Sequence, residues 1–268
     1  MRPLDATASW SLVTGGTEGI GRAIALDLAA QGHNVTVLAR NPARLQATVA
    51  DMEQRRQTPA QRLDAVSCDV SDFAALDAVL QAQIARHGAP TQLFNVAGYA
   101  RPGFIEELPV ADLDRMMQLN YLGTAYACKI VAPHMVQARN GRIVNTASLA
   151  GFLGVFGYTG YCASKFAVIG FSEALKRELA PFGIEVAVLC PPNTRTPGLE
   201  RENVFKPASV LAEEERHTTL TPEAVAASLW QQLRKRRFMI VPSADGRRSY
   251  HMNRLFPRYM DRVIRRPV

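Results

Sequence analysis

The 268-residue chain lacks any apolar run near the ~18–20 residues that cross a bilayer as one helix. Its first residues lack the basic-then-apolar order of a signal peptide. Four cysteines are present, Cys68, Cys128, Cys162 and Cys190, and no two have CxxC or metal-ligand spacing. Thiols scattered in this way read as small buried hydrophobes in a reducing compartment, so no disulfide framework and no metal are expected. Acidic residues are scarce in one region. From Arg234 onward eleven Arg and Lys face only Asp245 and Asp261, a net of +9. The preceding 233 residues carry 20 basic and 22 acidic side chains, a net of −2, so the formal +7 belongs to the tail. A nucleic-acid-binding domain would spread basic surface over its fold, and that class is excluded. The expectation is a cytoplasmic, metal-free protein.

Internal repeats and linkers are also absent, and what remains is a steady alternation of strand and helix. Short apolar strands are expected over 9–14, 34–39, 63–67, 92–95, 142–147, 185–190 and 237–241. Between them, helical periodicity covers 19–31, 42–56, a stretch from Asp72, 111–136, 158–180 and a stretch from Thr221. Residues 191–220, rich in proline and charge, read as irregular. Repeated β-α-β units with right-handed crossovers mean an α/β, doubly wound parallel sheet of about seven strands with helices on both faces. One domain over 1–242 is expected, followed by a basic tail over 243–268.

The usual GxGxxG fingerprint is missing, but Thr14-Gly15-Gly16-Thr17-Glu18-Gly19-Ile20-Gly21 follows the first strand directly. Gly15, Gly19 and Gly21 let the backbone turn sharply and approach a pyrophosphate, which rests on the positive end of the next helix. The second strand ends in Ala39-Arg40-Asn41, without the carboxylate that would hold the ribose hydroxyls of NAD. Arg40, and Arg44 one turn into the next helix, suit a 2′-phosphate instead, so NADP(H) is the expected cofactor. Glu18 opposes that reading, since a basic residue would serve a phosphate better there.

Of the seven tyrosines only Tyr161 has a lysine at i+4, Lys165. On a helix the two share one face, about one turn apart. An adjacent ammonium favours the phenolate of a group that ordinarily ionises near pH ~10, which makes Tyr161 a candidate general acid/base. Ser148 lies thirteen residues upstream. Tyr158 does not share this arrangement, because its i+4 residue is Cys162.

With Asp69-Val70 after the third strand, Asn95-Val96-Ala97-Gly98 after the fourth and Asn120 in the long helix, the chain resembles the short-chain dehydrogenase/reductase family over roughly residues 9–200. The resemblance implies that Asp69 and Val70 contact the adenine, and that Asn95 and Ala97 line the cofactor and brace the sheet. It implies that Lys165 holds the nicotinamide ribose and lowers the Tyr161 pKa. Tyr161 would protonate a carbonyl as hydride arrives, Ser148 would polarise that carbonyl, and Asn120 would hold a water that relays protons through Lys165. Thr194 and Thr196 match positions that hold the nicotinamide carboxamide and phosphate edge, and about 195–220 matches the substrate lid. Pro191-Pro192 departs from the family's usual Pro-Gly. A homodimer or homotetramer is implied by the same likeness.

Within the family, residues 38–41, 120–123, 154–158, 163–167 and 191–198, with Glu202-Asn203 and Lys206-Pro207, are similar to members that reduce the 3-keto group of a long-chain sphingoid base with NADPH. A lipid ketone is therefore the expected substrate. Reduction of 3-oxoacyl thioesters and hydroxysteroid-type dehydrogenation stay open as alternatives. A non-catalytic NADP-binding regulator would be expected to lose the Tyr–Lys pair, which this chain keeps. Eukaryotic members of that group carry hydrophobic membrane segments outside the catalytic region. Here the basic tail reads instead as an amphipathic helix, with Pro257 in its first turn and Tyr259, Met260, Val263 and Ile264 on one face. Arg258, Arg262, Arg265 and Arg266 flank that face. Either peripheral contact with anionic lipid or packing on the protein itself fits such a helix.

Overall fold

A computed structural model describes residues 9–214 and 218–264. Seven strands, β1 (Trp10–Thr14), β2 (Asn34–Ala39), β3 (Leu63–Ser67), β4 (Gln92–Asn95), β5 (Gly141–Thr146), β6 (Ile184–Leu189) and β7 (Met239–Ile240), form one sheet ordered β3-β2-β1-β4-β5-β6-β7. Every pairing is parallel. Successive residues of a strand point to opposite faces, and here both faces are covered. Val13 joins the layer formed with α1 (Gly19–Ala30), α2 (Pro42–Glu53) and α9 (Pro222–Arg234), while Trp10 and Leu12 join the opposite layer. That opposite layer is built by α3 (Phe73–His87), α5 (Gly123–Ala138) and α6 (Thr159–Leu179).

The ends of these helices follow local chemistry. Asn41, Asp72 and Thr221 each accept a backbone amide from the first turn of the helix they precede, and Pro42 and Pro222 stand where no amide partner is needed. The helix expected over 111–136 runs from α4 (Val110–Met116) into α5 through a π-helical turn at Met117–Leu122, which carries Asn120. Residues 191–220 correct the irregular reading. Thr196 caps α7 (Pro197–Asn203), whose Pro197 opens the first turn, and α8 (Ala208–Glu214) follows. The prolines there start helices rather than prevent them. Residues 215–217 of the expected lid lie outside the described residues, as do Arg265 and Arg266.

In the tail, α10 (Ala244–Leu255) lies on the domain. Asn253 Nδ2 donates to the Phe152 carbonyl at 2.8 Å, and the rings of Tyr250 and Phe152 meet edge-on at 5.2 Å. Pro257 does open the last helix, α11 (Pro257–Ile264), with Met260 buried and Tyr259 exposed. Strand order reverses between β1 and β4, and the crevice at the carboxyl ends of those strands is where an open α/β sheet holds its ligand.

Candidate active site

The first wall of that crevice is the turn after β1. Thr14 Oγ1 accepts the amides of Val96 and Ala97 at 3.1 and 3.3 Å, joining this turn to the loop after β4. Gly15 sits at φ 67° with its Cα pressed on Ala97; a Cβ would lie 2.7 Å from the Ala97 backbone. At Gly21 a Cβ would fall 2.3 Å from the Gly15 carbonyl, so the first turn of α1 closes directly on the glycine loop. The result is a bare backbone cradle at a helix N-terminus, which fits the pyrophosphate of a nicotinamide dinucleotide. Thr17 lies within this loop, and Ile20 packs from it into the core. Thr196 closes the cradle from the lid side, its methyl 2.8 Å from where a Gly19 Cβ would stand. Thr194 is buried, donating to the Pro192 carbonyl at 2.9 Å.

The two arginines after β2 are engaged. Arg40 pairs with Asp69 at 3.5 Å, and Arg44 with Glu18 at 2.5 Å. Glu18 also pairs with Arg201 of α7, tying the glycine loop to the lid. Burial would raise the Asp69 carboxyl, but hydrogen bonds from the Ser71 hydroxyl and amide, with Arg40, hold it below the usual range. Val70 is buried against Gly123, close to the π turn.

The second wall brings the reacting side chains together. β5 ends at Thr146, and Ser148 caps the short turn that follows, its Oγ accepting the Ala150 amide at 3.2 Å. Gly151 lets that turn lie against α6; a Cβ there would meet the Lys165 carbonyl at 3.0 Å. Ser148 thereby comes near enough to the Tyr161 phenol for its hydroxyl to favour the phenolate. Lys165, one turn on, is buried and donates from Nζ to the Thr146 carbonyl at 2.9 Å. Burial lowers the Lys165 ammonium to about 8. For Tyr161 the outcome differs from the sequence expectation. Burial and the negative charge of Glu202 push the phenol above its ordinary value, against the nearby Ser148 hydroxyl, which pulls it down. Lys165 Nζ stands 5.6 Å from the Tyr161 ring centroid and is directed to the strand, so it does not set this titration in the ligand-free chain.

Asn120 is fully buried with its amide satisfied by protein: Nδ2 donates to the Tyr99 carbonyl at 2.8 Å and Ser164 Oγ at 2.9 Å, and Oδ1 accepts the Tyr99 amide at 2.8 Å. A Cβ on Gly98 would lie 3.3 Å from Asn120 Oδ1 and 3.5 Å from Lys165 Nζ, which places the three at one spot. Asn95 braces the sheet, donating to Asn145 Oδ1 at 2.9 Å. Asn95 Oδ1 and Thr146 Oγ1 are buried without a partner among the described residues, which suits a polar ligand at these strand ends.

The short chain dehydrogenase family model matches residues 9–206. The chain belongs to this family. As a member of it, the protein is an oxidoreductase. It is 37% identical to the 3-ketodihydrosphingosine reductase of Mus musculus over 246 residues, 91% of this chain and 74% of that protein. The Bos taurus protein of the same name is 36% identical over the same shares. A D-threitol dehydrogenase of Mycolicibacterium smegmatis is 36% identical over 181 residues, 68% of each chain. Among solved structures, a family member from Burkholderia phymatum in complex with NAD superposes with TM-score 0.80 at 27% identity, covering 94% of this chain and 96% of that one. One from Sphingobium yanoikuyae in complex with NADPH gives 0.78 at 26%, covering 91% and 95%.

Sequence reasoning passed over Tyr158 and the charges of the lid. Tyr158 is buried beside Tyr161, the ring centroids 5.9 Å apart, and its hydroxyl meets Glu202 Oε1 at 2.5 Å and Glu214 Oε1 at 2.6 Å. The available signal was the i, i+4 spacing of Glu202 and Lys206 in a segment taken as irregular.

Proposed function

We propose that the chain is an NADPH-dependent ketoreductase that reduces the 3-keto group of a long-chain sphingoid base. The observation that carries the reading is the pairing of the Ser148–Tyr161 hydroxyls with an apolar mouth. The rings of Phe104 and Phe156 meet at a tilt, centroids 5.2 Å apart, beside the bridge from Gly103 to Tyr158, and Phe205 lies under Arg101. Phe156 before the catalytic helix and Val204, Phe205 and Leu211 of the lid are exposed apolar side chains, which suit an alkyl chain better than a small polyol. The similarity to proteins named 3-ketodihydrosphingosine reductase supports the same substrate.

In this reading Gly15, Gly19 and Gly21 admit the cofactor, Arg40 and Arg44 meet its 2′-phosphate, and Thr194 and Thr196 line the nicotinamide side. When bound, the reduced nicotinamide supplies a hydride. Tyr161 passes its phenolic proton to the carbonyl oxygen, and Ser148 donates a second hydrogen bond to that oxygen. A phenol held high by burial stays protonated at neutral pH, which suits reduction. Lys165 keeps a positive charge beneath the reacting oxygen, and Asn120 fixes the π turn against Tyr99 and Ser164. The tail extends the reading: Leu255, Phe256 and Tyr259 are exposed beside Arg254, Arg258 and Arg262, a surface for contact with anionic lipid.

NADPH consumption by the purified protein is measured with 3-ketodihydrosphingosine, 3-oxoacyl thioesters and ketosteroids. Turnover of the sphingoid ketone is expected. Rapid turnover of a thioester with none of the sphingoid ketone would replace this reading by the thioester one.

A further inference from the structure

Glu202, Lys206 and Glu214 meet within the lid. The Lys206 side chain is 0% exposed, and its ammonium lies 2.5 Å from Glu214 Oε2 and 2.7 Å from Asn203 Oδ1. It is 3.5 Å from Glu202 Oε1. Lys206 therefore spends its charge on Glu214, and Glu202 is the less neutralised carboxylate. Tyr158 cannot make up the difference, because its hydroxyl has one proton and stands within hydrogen-bond distance of both carboxylates. With both carboxylates ionised the cluster holds two negative charges and one positive. A largely buried, unmatched carboxylate is costly unless a cation joins it.

The Tyr158 ring, whose hydroxyl meets Glu202, stands edge-on to the Tyr161 ring with centroids 5.9 Å apart. The field of Glu202 reaches Tyr161, where it is the foremost charge raising the phenol. A 3-keto sphingoid base carries an ammonium on the carbon next to its ketone. Nitrogen and carbonyl oxygen are then separated by three bonds, about 3 Å in the geometry of any N–C–C=O unit. A ketone held on Tyr161 must put that ammonium in the immediate neighbourhood of the phenol.

We infer that Glu202 is the specificity-determining counter-charge for the ammonium adjacent to the substrate ketone, selecting α-amino ketones over plain lipid ketones. The inference rests on the sphingoid reading above and narrows it. Tyr158 acts as a positioning residue, holding the Glu202 carboxylate toward Tyr161, and Lys206 neutralises Glu214 so that one negative charge remains for the ligand.

The test compares two ketones of equal chain length, 3-ketodihydrosphingosine and its analogue without the amine, with the parent chain, Glu202→Gln and Glu202→Asp. The parent is expected to favour the amino ketone by about 10²-fold in kcat/KM, the scale of one charge-assisted hydrogen bond. Glu202→Gln should lose most of that preference through KM on the amino ketone. Its loss of kcat/KM on the amine-free ketone should be at least about tenfold smaller than its loss on the amino ketone. Glu202→Asp should retain much of the preference, which keeps the test decisive if the Gln variant folds poorly. Equal losses on both ketones, or no loss on either, overturn the role of Glu202 while leaving the function intact. No turnover of either ketone by the parent overturns the function and the inference with it.

Discussion

The Ser148 hydroxyl caps its own turn, whereas the Tyr161 phenol beside it can be removed with little disturbance to packing. Tyr161→Phe is expected to lower kcat about 10³-fold, within the usual range for losing a general acid, with NADPH binding by fluorescence titration nearly unchanged. A kcat within tenfold of the parent's would assign the proton to another group. Lys165 makes a prediction about stability. Unfolded, its ammonium titrates near 10.5; folded, burial brings it to about 8. Between those values the unfolded chain holds a proton that the folded chain has released, so this group makes stability rise with pH. Below pH 8 both states are charged and the burial cost is constant. Lys165→Met removes the cost, so its stability relative to the parent should be greatest below pH 8. That advantage should shrink by up to ~3 kcal/mol by pH 10.5. Urea unfolding at pH 7.5 and at pH 10 measures it, and a difference flat across that span rejects the linkage. The Tyr161–Lys165 spacing was legible in the sequence because any helix preserves it. The direction of the Tyr161 titration was not, because it depends on burial and on Glu202, which only folding brings near.

At the scale of elements, legibility followed capping. Asn41, Asp72 and Thr221 mark helix starts by local chemistry that does not depend on the rest of the fold, and all seven strands appear near their expected places. The π turn and the two lid helices escaped. The π turn around Asn120 has no sequence signature, because its extra residue is accommodated by the Tyr99 backbone and Ser164 rather than by neighbours in the chain. The lid helices α7 and α8 were hidden by Pro197, Pro207 and alternating charge, and their stability comes from the contact of Lys206, Glu214 and Tyr158. The end of β2 offers an element-scale test of cofactor choice. Arg40 and Arg44 are exposed and their ion pairs with Asp69 and Glu18 contribute little to stability. The double change Arg40→Ala with Arg44→Ala is therefore expected to leave Tm nearly unchanged while reducing the NADPH-over-NADH ratio of kcat/KM by about 10²-fold. Equal losses with both cofactors would move the 2′-phosphate contact elsewhere.

At the scale of the whole molecule, the near-neutral body and the basic tail divide the surface, and the tail has two tasks that can be separated. α10 covers the turn that carries Ser148: Gly246 lies against Leu149, and Asn253 holds the Phe152 carbonyl. Removing residues 243–268 would uncover that turn, lowering Tm by several degrees for each kcal/mol lost and disturbing Ser148. Truncation would therefore confuse lipid contact with damage to the site. Reversing charge is cleaner at Arg258 and Arg262, which are exposed on α11, whereas Arg254 donates to the hydroxyl of Tyr250, the ring that packs on Phe152. Arg258→Glu and Arg262→Glu together should leave Tm and kcat on a short, water-soluble ketone close to the parent's. Co-sedimentation with phosphatidylserine-containing vesicles should fall sharply, since each basic residue near an anionic surface contributes about 1 kcal/mol. Added salt should weaken the parent's binding in the same direction. The parent and the variant binding these vesicles equally would confine the tail to its structural task beneath the Ser148 turn.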